Sequence, residues 1–448
     1  MNIAIIGGGI SGLTLAWYLQ RAGVAYDLFE ADARPGGNLR TWATPEGYLL
    51  ETGPNSLQLS PELEELLADL GLTDQIQDAA AVSQRRYVLR DGRYQALPGS
   101  PLALLTSGFF SLQAKWGLLR EWRRPAGPAD PAETVAGFFR RRFGSEIVDY
   151  AVNPFTAGIY AGDPERLLLH QTFPQLAALE QAHGSVLRGL AKTGKGAPRR
   201  RIFTLAGGVQ TLTDALAARL PRCRAATAVT EVTRDADGTY RLALAGPAAP
   251  AVAAGYSHLA LALPAHAAAE LLRPLFPAAA AALAAVHYPP MSVVFSAYDR
   301  AAVAHPLNGF GALHPRVEGA YAAGSVWTSA IYPHRVPAGQ VLFTTFVGGT
   351  QYEAAAGQPA AAQLAAVHAE LGRYYGIAGP PRWQGRYHWP RSIPQFEAPI
   401  VAARAAVAAL GPEGIVAVAN WQAGVSVPDC VCHARRVAGV LAGPPPAG

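Results

Sequence analysis

The apolar and polar positions of the first thirty residues predict a strand, a helix and a second strand in immediate succession. Ile3 to Ile6 form a continuous apolar run, which is typical of a strand buried on both faces of a parallel sheet. From Ser11 to Arg21 apolar residues recur at helical spacing, and Gly23 favours an end to that helix. The stretch AYDLFE, residues 25–30, then predicts the second strand. The pattern therefore predicts a βαβ unit at the start of the chain.

The rest of the chain divides into strand-rich and helical parts. Residues 85–97, RRYVLRDGRYQAL, alternate about Asp91 and Gly92 and predict a β-hairpin. Residues 98–200 lack strand patterning and carry several amphipathic helical segments. From residue 201 onward strand and helix patterns return, and near the end they predict a strand, a glycine turn and a helix.

Composition and charge exclude several classes of protein. The chain has 448 residues, of which 50% are apolar and 15% are charged, so it is not a disordered chain. No apolar run is long enough to span a bilayer, and the chain starts on a strand-like run without a basic leader, so we expect a cytoplasmic protein. The net charge of +5 is mild and no nucleic-acid-binding module is recognisable, so no nucleic-acid partner is expected.

The cysteines near the C-terminus raise the question of a metal site. Cys430, Cys432 and His433 are all metal-ligand types, but a tetrahedral site usually needs a second ligand pair. The remaining cysteine, Cys223, lies far upstream. We therefore expect no metal, and we expect Cys430 and Cys432 to point to different faces of a helix and to pack against the preceding strand.

The glycines of the first unit carry its chemistry. Gly7, Gly9 and Gly12 fit G-x-G-x-x-G, which allows a tight turn and a close approach of a pyrophosphate to the start of the helix. Glu30 ends the second strand, where a carboxylate can accept the ribose hydroxyls of an adenosine. Strand, glycines, helix, strand and acidic end occur in order, so the unit predicts dinucleotide binding.

Longer motifs resemble one enzyme family. The stretches ARPGGNLRT (33–41) and GYLLETGPNSL (47–57) are similar to flavoproteins of the amine oxidase superfamily. Four further stretches occur in the order found in the protoporphyrinogen oxidase family, namely GIYAGDPERL (158–167), TFPQL (172–176), SIPQF (392–396) and GVSVPDC (424–430). The resemblance covers nearly the whole chain.

The resemblance implies an α/β fold with three parts. These are a Rossmann-like FAD-binding domain of the amine oxidase and glutathione reductase type, a mixed-sheet substrate domain and a helical membrane-associating domain. The implied bounds are 1–84, 201–270 and 405–448 for FAD binding, 85–97 and 271–404 for the substrate domain, and 98–200 for the helical substrate-channel part.

FAD is the cofactor that the resemblance implies. In the relatives the strand of Val229 lies against the adenine, and the last turn and helix lie against the isoalloxazine, where negative charge grows on reduction. The implied FAD-binding residues are Gly7, Gly9, Ile10, Ser11, Gly12, Glu30, Arg34, Gly36, Gly37, Gly53, Pro54, Asn55, Val229, Asn420, Gly424, Val425 and Val427.

A second set of residues is implied for the substrate. Arg40 is expected to bind a propionate, because a guanidinium recognises a carboxylate through two parallel hydrogen bonds. The carbonyl of Gly158 is expected to face the pyrrole N–H groups. Apolar side chains are expected to sandwich the tetrapyrrole, namely those of Phe310, Leu313, Val326 and Phe346.

The implied activity is the oxidation of protoporphyrinogen IX to protoporphyrin IX in haem biosynthesis, with molecular oxygen as acceptor and hydrogen peroxide as product. Three alternatives stay open: coproporphyrinogen III as the substrate, another oxidase or desaturase of the superfamily, and a non-catalytic binder of the same fold. A homodimer and hand-off of the product to the next haem-pathway enzyme also stay open.

Residues 102–124 favour peripheral attachment to the cytoplasmic membrane, with a substrate-channel or packing helix as the alternative. Apolar and basic side chains lie close together there, as in a helix at a bilayer surface. The apolar ones are Leu104, Leu105, Phe109, Phe110, Trp116 and Leu119, and the basic ones are Lys115, Arg120, Arg123 and Arg124.

Overall fold

The structure is a computed structural model that describes residues 1–99, 103, 106–193, 201–247 and 249–443. Its strands are β1 (Asn2–Ile6), β2 (Ala25–Phe29), β3 (Thr41–Ala43), β4 (Leu49–Glu51), β5 (Leu57–Gln58), β6 (Ile76–Asp78), β7 (Tyr87–Arg90), β8 (Arg93–Ala96), β9 (Ile202–Leu205), β10 (Cys223–Arg224), β11 (Ala228–Arg234), β12 (Tyr240–Ala245), β13 (Val252–Tyr256), β14 (His258–Leu261), β15 (Met291–Asp299), β16 (Gly311–Leu313), β17 (Gly324–Trp327), β18 (Gln340–Gly348), β19 (Trp383–Trp389) and β20 (Ile415–Ala417). Its α-helices are α1 (Ile10–Arg21), α2 (Pro61–Asp69), α3 (Leu112–Glu121), α4 (Val135–Phe143), α5 (Ser145–Ile147), α6 (Asn153–Tyr160), α7 (Leu169–Thr172), α8 (Pro174–His183), α9 (Val186–Thr193), α10 (Gln210–Ala218), α11 (Ala265–Leu272), α12 (Pro277–Ala284), α13 (Thr328–Ile331), α14 (Glu353–Ala356), α15 (Ala360–Tyr375), α16 (Ala398–Ala408), α17 (Asn420–Ala423) and α18 (Val427–Ala442).

A parallel sheet of five strands contains the N-terminal βαβ unit, which confirms the predicted order of strand, helix and strand. Its strand order is β10-β2-β1-β14-β20. Ile3 and Ile5 of β1 pack in one hydrophobic cluster, whereas Ala4 and Ile6 pack in another. Because successive side chains of a strand point to opposite faces, β1 is buried on both sides. This burial explains its continuous apolar run.

Distant segments complete this sheet. β10 lies beside β2, β14 lies beside β1, and β20 lies beside β14, all in parallel. The chain therefore leaves the first domain and returns to it at least twice. The six bounds implied by the resemblance stay a prediction.

A mixed sheet of seven strands forms a second layer, in the order β19-β15-β18-β17-β16-β7-β8. The predicted hairpin is present as β7 and β8, and its turn residues Asp91 and Gly92 have φ of 53° and 71°. Both values lie in the left-handed region, as a two-residue hairpin turn of this type requires. The hairpin joins the sheet through a parallel pairing of β7 with β16.

Helices α3 to α9 form the part between residues 106 and 193, and none of the named strands falls in it. A buried ion-pair network holds these helices together. Arg142 and Glu121 have no solvent-exposed side-chain surface, and Arg142 Nε donates to Glu121 Oε1 at 3.0 Å. Arg142 Nη1 also donates to Glu180 Oε1 at 3.1 Å. Removing one partner of such a pair costs about 3–5 kcal/mol, because the other charge stays buried.

The structure corrects part of the expected membrane-facing pattern. Phe109 and Phe110 are buried and pack in the core, edge to face, instead of facing outward. Leu104 and Leu105 lie outside the described residues. Over the described ranges, no helix combines the length and the apolar character needed to cross a bilayer.

Candidate functional site

The loop between β1 and α1 has a geometry that excludes side chains. A Cβ atom on Gly12 would lie 2.0 Å from the carbonyl oxygen of Gly7, and Gly7 itself has φ of +108°. Gly9 precedes α1 without a side-chain cap. Glycine has no side chain that could accept a hydrogen bond, so the N–H groups at the start of the helix, from Ile10 and Ser11 onward, are not capped by this residue. Such a helix end fits a phosphate group.

The second glycine pair packs against the first loop. Gly36 N donates to the carbonyl of Gly8 at 2.8 Å. A Cβ atom on Gly37, which has φ of +58°, would lie 3.1 Å from the Cα atom of Gly9. The structure thus brings the predicted glycines of both motifs into contact, and a diphosphate can approach the backbone of both.

Glu30 lies at the carboxyl end of β2, beside the glycine loop. Its Oε2 accepts from Gly8 N at 2.6 Å and its Oε1 accepts from Asp32 N at 2.7 Å. The carbonyl of Glu30 accepts from Thr227 N at 2.8 Å. Since Thr227 leads directly into β11, the strand of Val229 begins next to Glu30. The two residues predicted for the adenosine half are therefore neighbours.

Arg34 is held by an ion pair. Its guanidinium pairs with Asp214 at 2.5 Å, and both side chains are largely exposed. Its predicted contact with the cofactor stays a prediction.

The segment after β4 approaches the same region. A Cβ atom on Gly53 would lie 1.9 Å from the carbonyl oxygen of Asn38, so only glycine fits there. Pro54 and Asn55 follow. Asn55 Oδ1 accepts from Arg335 Nη1 at 2.9 Å, whereas its Nδ2 is buried and has no hydrogen-bond partner within the described ranges. An unpartnered buried donor is costly, so this amide fits a polar ligand atom.

The C-terminal turn and helix have the predicted layout with one addition. The short helix α17 stands between β20 and the glycine turn, and the apolar pattern did not predict it. Ser426 caps α18, because its Oγ accepts from Asp429 N at 3.2 Å, and Gly424 has φ of +133°. The predicted flavin contacts all lie on α17, on this turn or at the start of α18, namely Asn420, Gly424, Val425 and Val427.

The two cysteines of α18 point to different faces, as predicted. Cys430 is buried, and burial raises the pKa of its thiol to about 12. Cys432 is exposed, so the expected packing of both cysteines against the strand is wrong for Cys432. The absence of a metal stays a prediction, although the described residues hold no group of three or more His, Cys, Asp or Glu arranged for one.

These pieces meet at the carboxyl edge of the parallel sheet. The glycine loop follows β1, Glu30 follows β2, and α17 follows β20. Ligands of open parallel sheets bind at this edge. The uncapped helix end, the closely packed glycines and the free Asn55 amide fit the diphosphate and flavin of FAD.

Arg40 lies where this edge meets the seven-stranded sheet. Its Nε donates to the carbonyl of Gly37 at 3.1 Å, its Nη1 donates to Tyr387 Oη at 3.4 Å, and it forms an ion pair with Asp32. It also lies over the ring of Trp389. The guanidinium is therefore already engaged, and its role in binding a propionate stays a prediction.

One face of the seven-stranded sheet carries three of the predicted substrate residues. Leu313 pairs with Gly324, which pairs with Phe346, and Val326 lies two positions from Gly324. Directly paired residues and residues two apart share a face. Tyr387, the partner of Arg40, lies on this face too, because both it and Phe346 pair with the same residue of β15. The face thus runs from Leu313 to the carboxyl edge of the parallel sheet, where Arg40 lies.

Helix α6 packs over this face. A Cβ atom on Gly158 would lie 2.8 Å from Leu313 Cδ2, so Gly158 faces the sheet. Phe155 and Ile159 are exposed and, four residues apart, share one side of α6, and Phe155 is also three residues from Gly158. They add two apolar residues to this site that the sequence motifs did not single out.

Arg86 was missed at the sequence level. It stands just before β7 with its guanidinium 5.1 Å from the ring centre of Phe310, and no described carboxylate lies within ion-pair distance. The side chain is exposed, yet desolvation by surrounding protein lowers the pKa of its guanidinium. The guanidinium therefore has protein on one side and solvent on the other. The stretch containing it, RRYVLRDG, indicated only a hairpin.

Comparisons with known proteins agree with this geometry. The profile of flavin containing amine oxidoreductases matches residues 10–442. The chloroplastic protoporphyrinogen oxidase of Oryza sativa subsp. japonica is 32% identical over 96% of this chain and 86% of its own length. The coproporphyrinogen III oxidase of Bacillus subtilis (strain 168) is 28% identical over 96% and 95%.

Solved structures share the fold. A structure from Exiguobacterium sp. 255-15, provisionally named a protoporphyrinogen oxidase, has a TM-score of 0.81 at 23% identity and covers 98% of both chains. The cyclohexylamine oxidase of Brevibacterium oxydans IH-35A has a TM-score of 0.69 at 16% identity, again over 98% of both chains. The chain belongs to the flavin-containing amine oxidoreductase family and, within it, groups with the protoporphyrinogen and coproporphyrinogen III oxidases.

Proposed function

We propose that this protein oxidises a porphyrinogen, with protoporphyrinogen IX as the first choice and with FAD as the cofactor. The observation that carries the proposal is the apolar face shared by Leu313, Val326 and Phe346, which α6 covers and which continues to the carboxyl edge of the parallel sheet. We call the substrate space that we propose between α6 and this face the recess. A porphyrinogen is a large apolar ring with carboxylates on its rim, so it needs such a recess.

The residues of the recess have separate tasks. Bound FAD supplies the hydride acceptor, so the protein must hold the ring and exclude water. The apolar side chains on the sheet face and on α6 enclose the ring. The absence of a side chain at Gly158 lets Leu313 pack against α6, and the hydrogen bond from the pyrrole N–H groups to the Gly158 carbonyl stays a prediction.

Arg86 is the residue that we assign to a substrate carboxylate. Its guanidinium is free of carboxylates within the described part of the chain, whereas Arg40 is paired with Asp32. Protoporphyrinogen carries fewer propionates than coproporphyrinogen. Fewer carboxylates need fewer cations, and for this reason we place protoporphyrinogen first.

We expect Arg86→Gln to raise the KM for the porphyrinogen by about tenfold or more, because a charge-assisted hydrogen bond contributes about 1.5–3 kcal/mol. The matched variant is Arg40→Gln, which should change KM much less. Steady-state rates followed by porphyrin fluorescence measure both. A large rise in KM for Arg40→Gln alone would favour Arg40 as the propionate ligand and contradict this assignment.

The test of the whole proposal begins with colour. The purified protein should be yellow or take up added FAD, and it should turn each porphyrinogen into its fluorescent porphyrin in air. A protein that binds no flavin would be a non-catalytic binder. A flavoprotein that oxidises amines or polyenes but neither porphyrinogen would be a different oxidoreductase of the family.

Coproporphyrinogen III is the second candidate substrate, supported by the relative from Bacillus subtilis. A higher kcat/KM for it than for protoporphyrinogen would reverse the order given above. Oxygen as acceptor, hydrogen peroxide release, a homodimer and hand-off to the next haem-pathway enzyme stay predictions.

A further inference from the structure

A cavity of about 310 Å³ opens at the end of the seven-stranded sheet where β15 stops and β18 starts. Most of its walls are apolar, with Pro306, Leu307, Pro333, Val336 and Val341 among them, and no carboxylate is among its lining residues. Cavities of about 300–1,000 Å³ bind small molecules, so this one has room for a small ligand.

The cavity is separate from the recess. Met291 pairs with Gly348 at one end of β15 and β18, and Asp299 pairs with Gln340 at the other end. Phe346 of the substrate face lies near the first end, whereas Gln340 lines the cavity. The strand between these two residues is about 20 Å long. A ligand in the cavity would therefore not occupy the space proposed for the porphyrinogen.

Arg300 places a positive charge in the cavity wall. Its Nη1 donates to the carbonyl of Val303 at 2.7 Å, and its Nη2 donates to the carbonyl of His305 at 3.0 Å. These carbonyls hold the guanidinium in place, but they are neutral. Among the described residues no carboxylate lies within ion-pair distance of Arg300, and the adjacent Asp299 pairs with Arg382 instead. The charge of Arg300 is therefore not compensated.

Gln340 adds a second donor to the same cavity. Its Oε1 accepts from Tyr48 Oη at 2.5 Å, which fixes the orientation of the amide. Its Nε2 has no hydrogen-bond partner in the described part of the chain. A carboxylate has two oxygens and accepts hydrogen bonds only, so it can bind a guanidinium and an amide N–H group together.

Leu307 forms a strained part of the cavity wall. Its φ is 52°, in the left-handed region that a bulky side chain rarely adopts. Leu307 N donates to His305 Nδ1 at 3.1 Å, so the strained residue belongs to the loop whose carbonyl holds Arg300. Strained backbone of this kind is concentrated at ligand-binding and catalytic sites.

We propose that this cavity binds a small monocarboxylate with an apolar body. The carboxylate binds Arg300 and Gln340, and the apolar body packs against the proline, leucine and valine side chains of the walls. One uncompensated cation matches one negative charge, whereas a phosphate dianion carries more charge than a single guanidinium neutralises. A neutral ligand of the same shape would leave the guanidinium without an anion.

The test is calorimetric titration of the full-length protein, as purified, with benzoate, benzamide and inorganic phosphate. Benzamide has the shape of benzoate without its charge, and phosphate has charge without an apolar body. We expect benzoate to bind about tenfold or more tighter than either, because hydrogen bonds between charged groups are the stronger ones. No binding of benzoate, or equal binding of benzoate and either of the other two, would overturn the proposal.

Matched variants locate the bound benzoate. Arg300→Met should weaken its binding by about tenfold or more, whereas Arg373→Met, at an exposed arginine on α15, should not. Ala330→Leu fills part of the cavity and leaves Arg300 in place, so it should weaken binding too. Its control is Ala361→Leu, at an exposed position of α15. Thermal unfolding checks that each variant is folded, and equal affinities within either pair would contradict the proposal.

A further pair separates this site from the proposed oxidation. Arg86→Gln should leave the affinity for benzoate unchanged, and Arg300→Met should leave flavin content and porphyrinogen oxidation unchanged. Loss of benzoate binding in Arg86→Gln but not in Arg300→Met would place the carboxylate at Arg86 and overturn the proposal. The titration requires neither flavin nor turnover, so failure of the proposed oxidation would not affect its result.

Discussion

The Gly12→Ala protein should purify with little or none of its flavin. A Cβ atom at this position would lie 2.0 Å from the carbonyl oxygen of Gly7, so the loop must shift at the point where the diphosphate approaches. Overpacking of this kind costs about 1–3 kcal/mol, which corresponds to a loss of FAD affinity of roughly ten- to a hundredfold. Flavin absorbance after purification and fluorescence titration with FAD measure the loss.

Gly439→Ala is the matched control for this substitution. Gly439 lies on α18, and a Cβ atom there meets no atom within 4 Å. The control should keep its flavin and its stability. If Gly12→Ala bound FAD as tightly as Gly439→Ala, the loop could not be the diphosphate site.

The second large effect is expected for Arg335→Met. Arg335 and Glu51 are both fully buried, with Arg335 Nη2 2.7 Å from Glu51 Oε1, and burial raises the pKa of Glu51 against the opposing charge of Arg335. Removing Arg335 leaves the carboxylate buried without its cation, so we expect the free energy of unfolding to fall by about 3–5 kcal/mol. Urea unfolding of parent and variant measures it.

Arg382→Met serves as the comparison, since Arg382 pairs with Asp299 at the surface. A fully exposed ion pair contributes little to stability, so this variant should unfold almost like the parent. The double variant Glu51→Leu with Arg335→Met should recover much of the loss, because no buried charge remains. Similar losses for Arg382→Met and Arg335→Met would contradict a special role for the buried pair.

Local patterns predicted the parts of the fold whose cause is local. The first strand, helix and strand were predictable because a continuous apolar run indicates a strand buried on both faces and apolar residues at helical spacing indicate a helix. The hairpin about Asp91 and Gly92 was predictable because a turn of this type needs left-handed backbone at both positions. The short helix α17 was not, since four residues are too few for a periodic pattern.

The site was harder to predict because its parts come from distant segments. Leu313, Val326 and Phe346 share a face only through the strand register, and apolar alternation does not specify which strands pair. Arg86 was missed because its importance depends on what surrounds it. A free guanidinium over Phe310 and a paired one at Arg40 look alike in sequence.

The burial of Phe109 and Phe110 shows the same limit in the helical part. A run of apolar residues beside arginines indicates a helix at a bilayer surface, but the same run also occurs where a segment packs into the hydrophobic core. The packed structure separates the two, because it shows which side chains the neighbouring helices cover.

The buried network around Arg142 has a consequence for motion. Arg142 lies on α4, Glu121 on α3 and Glu180 on α8, and Glu121 also accepts from backbone N–H groups at the start of α9. Separating any one of these helices from the others would leave a buried charge without its partner. We therefore expect α3, α4, α8 and the start of α9 to unfold together as one cooperative unit.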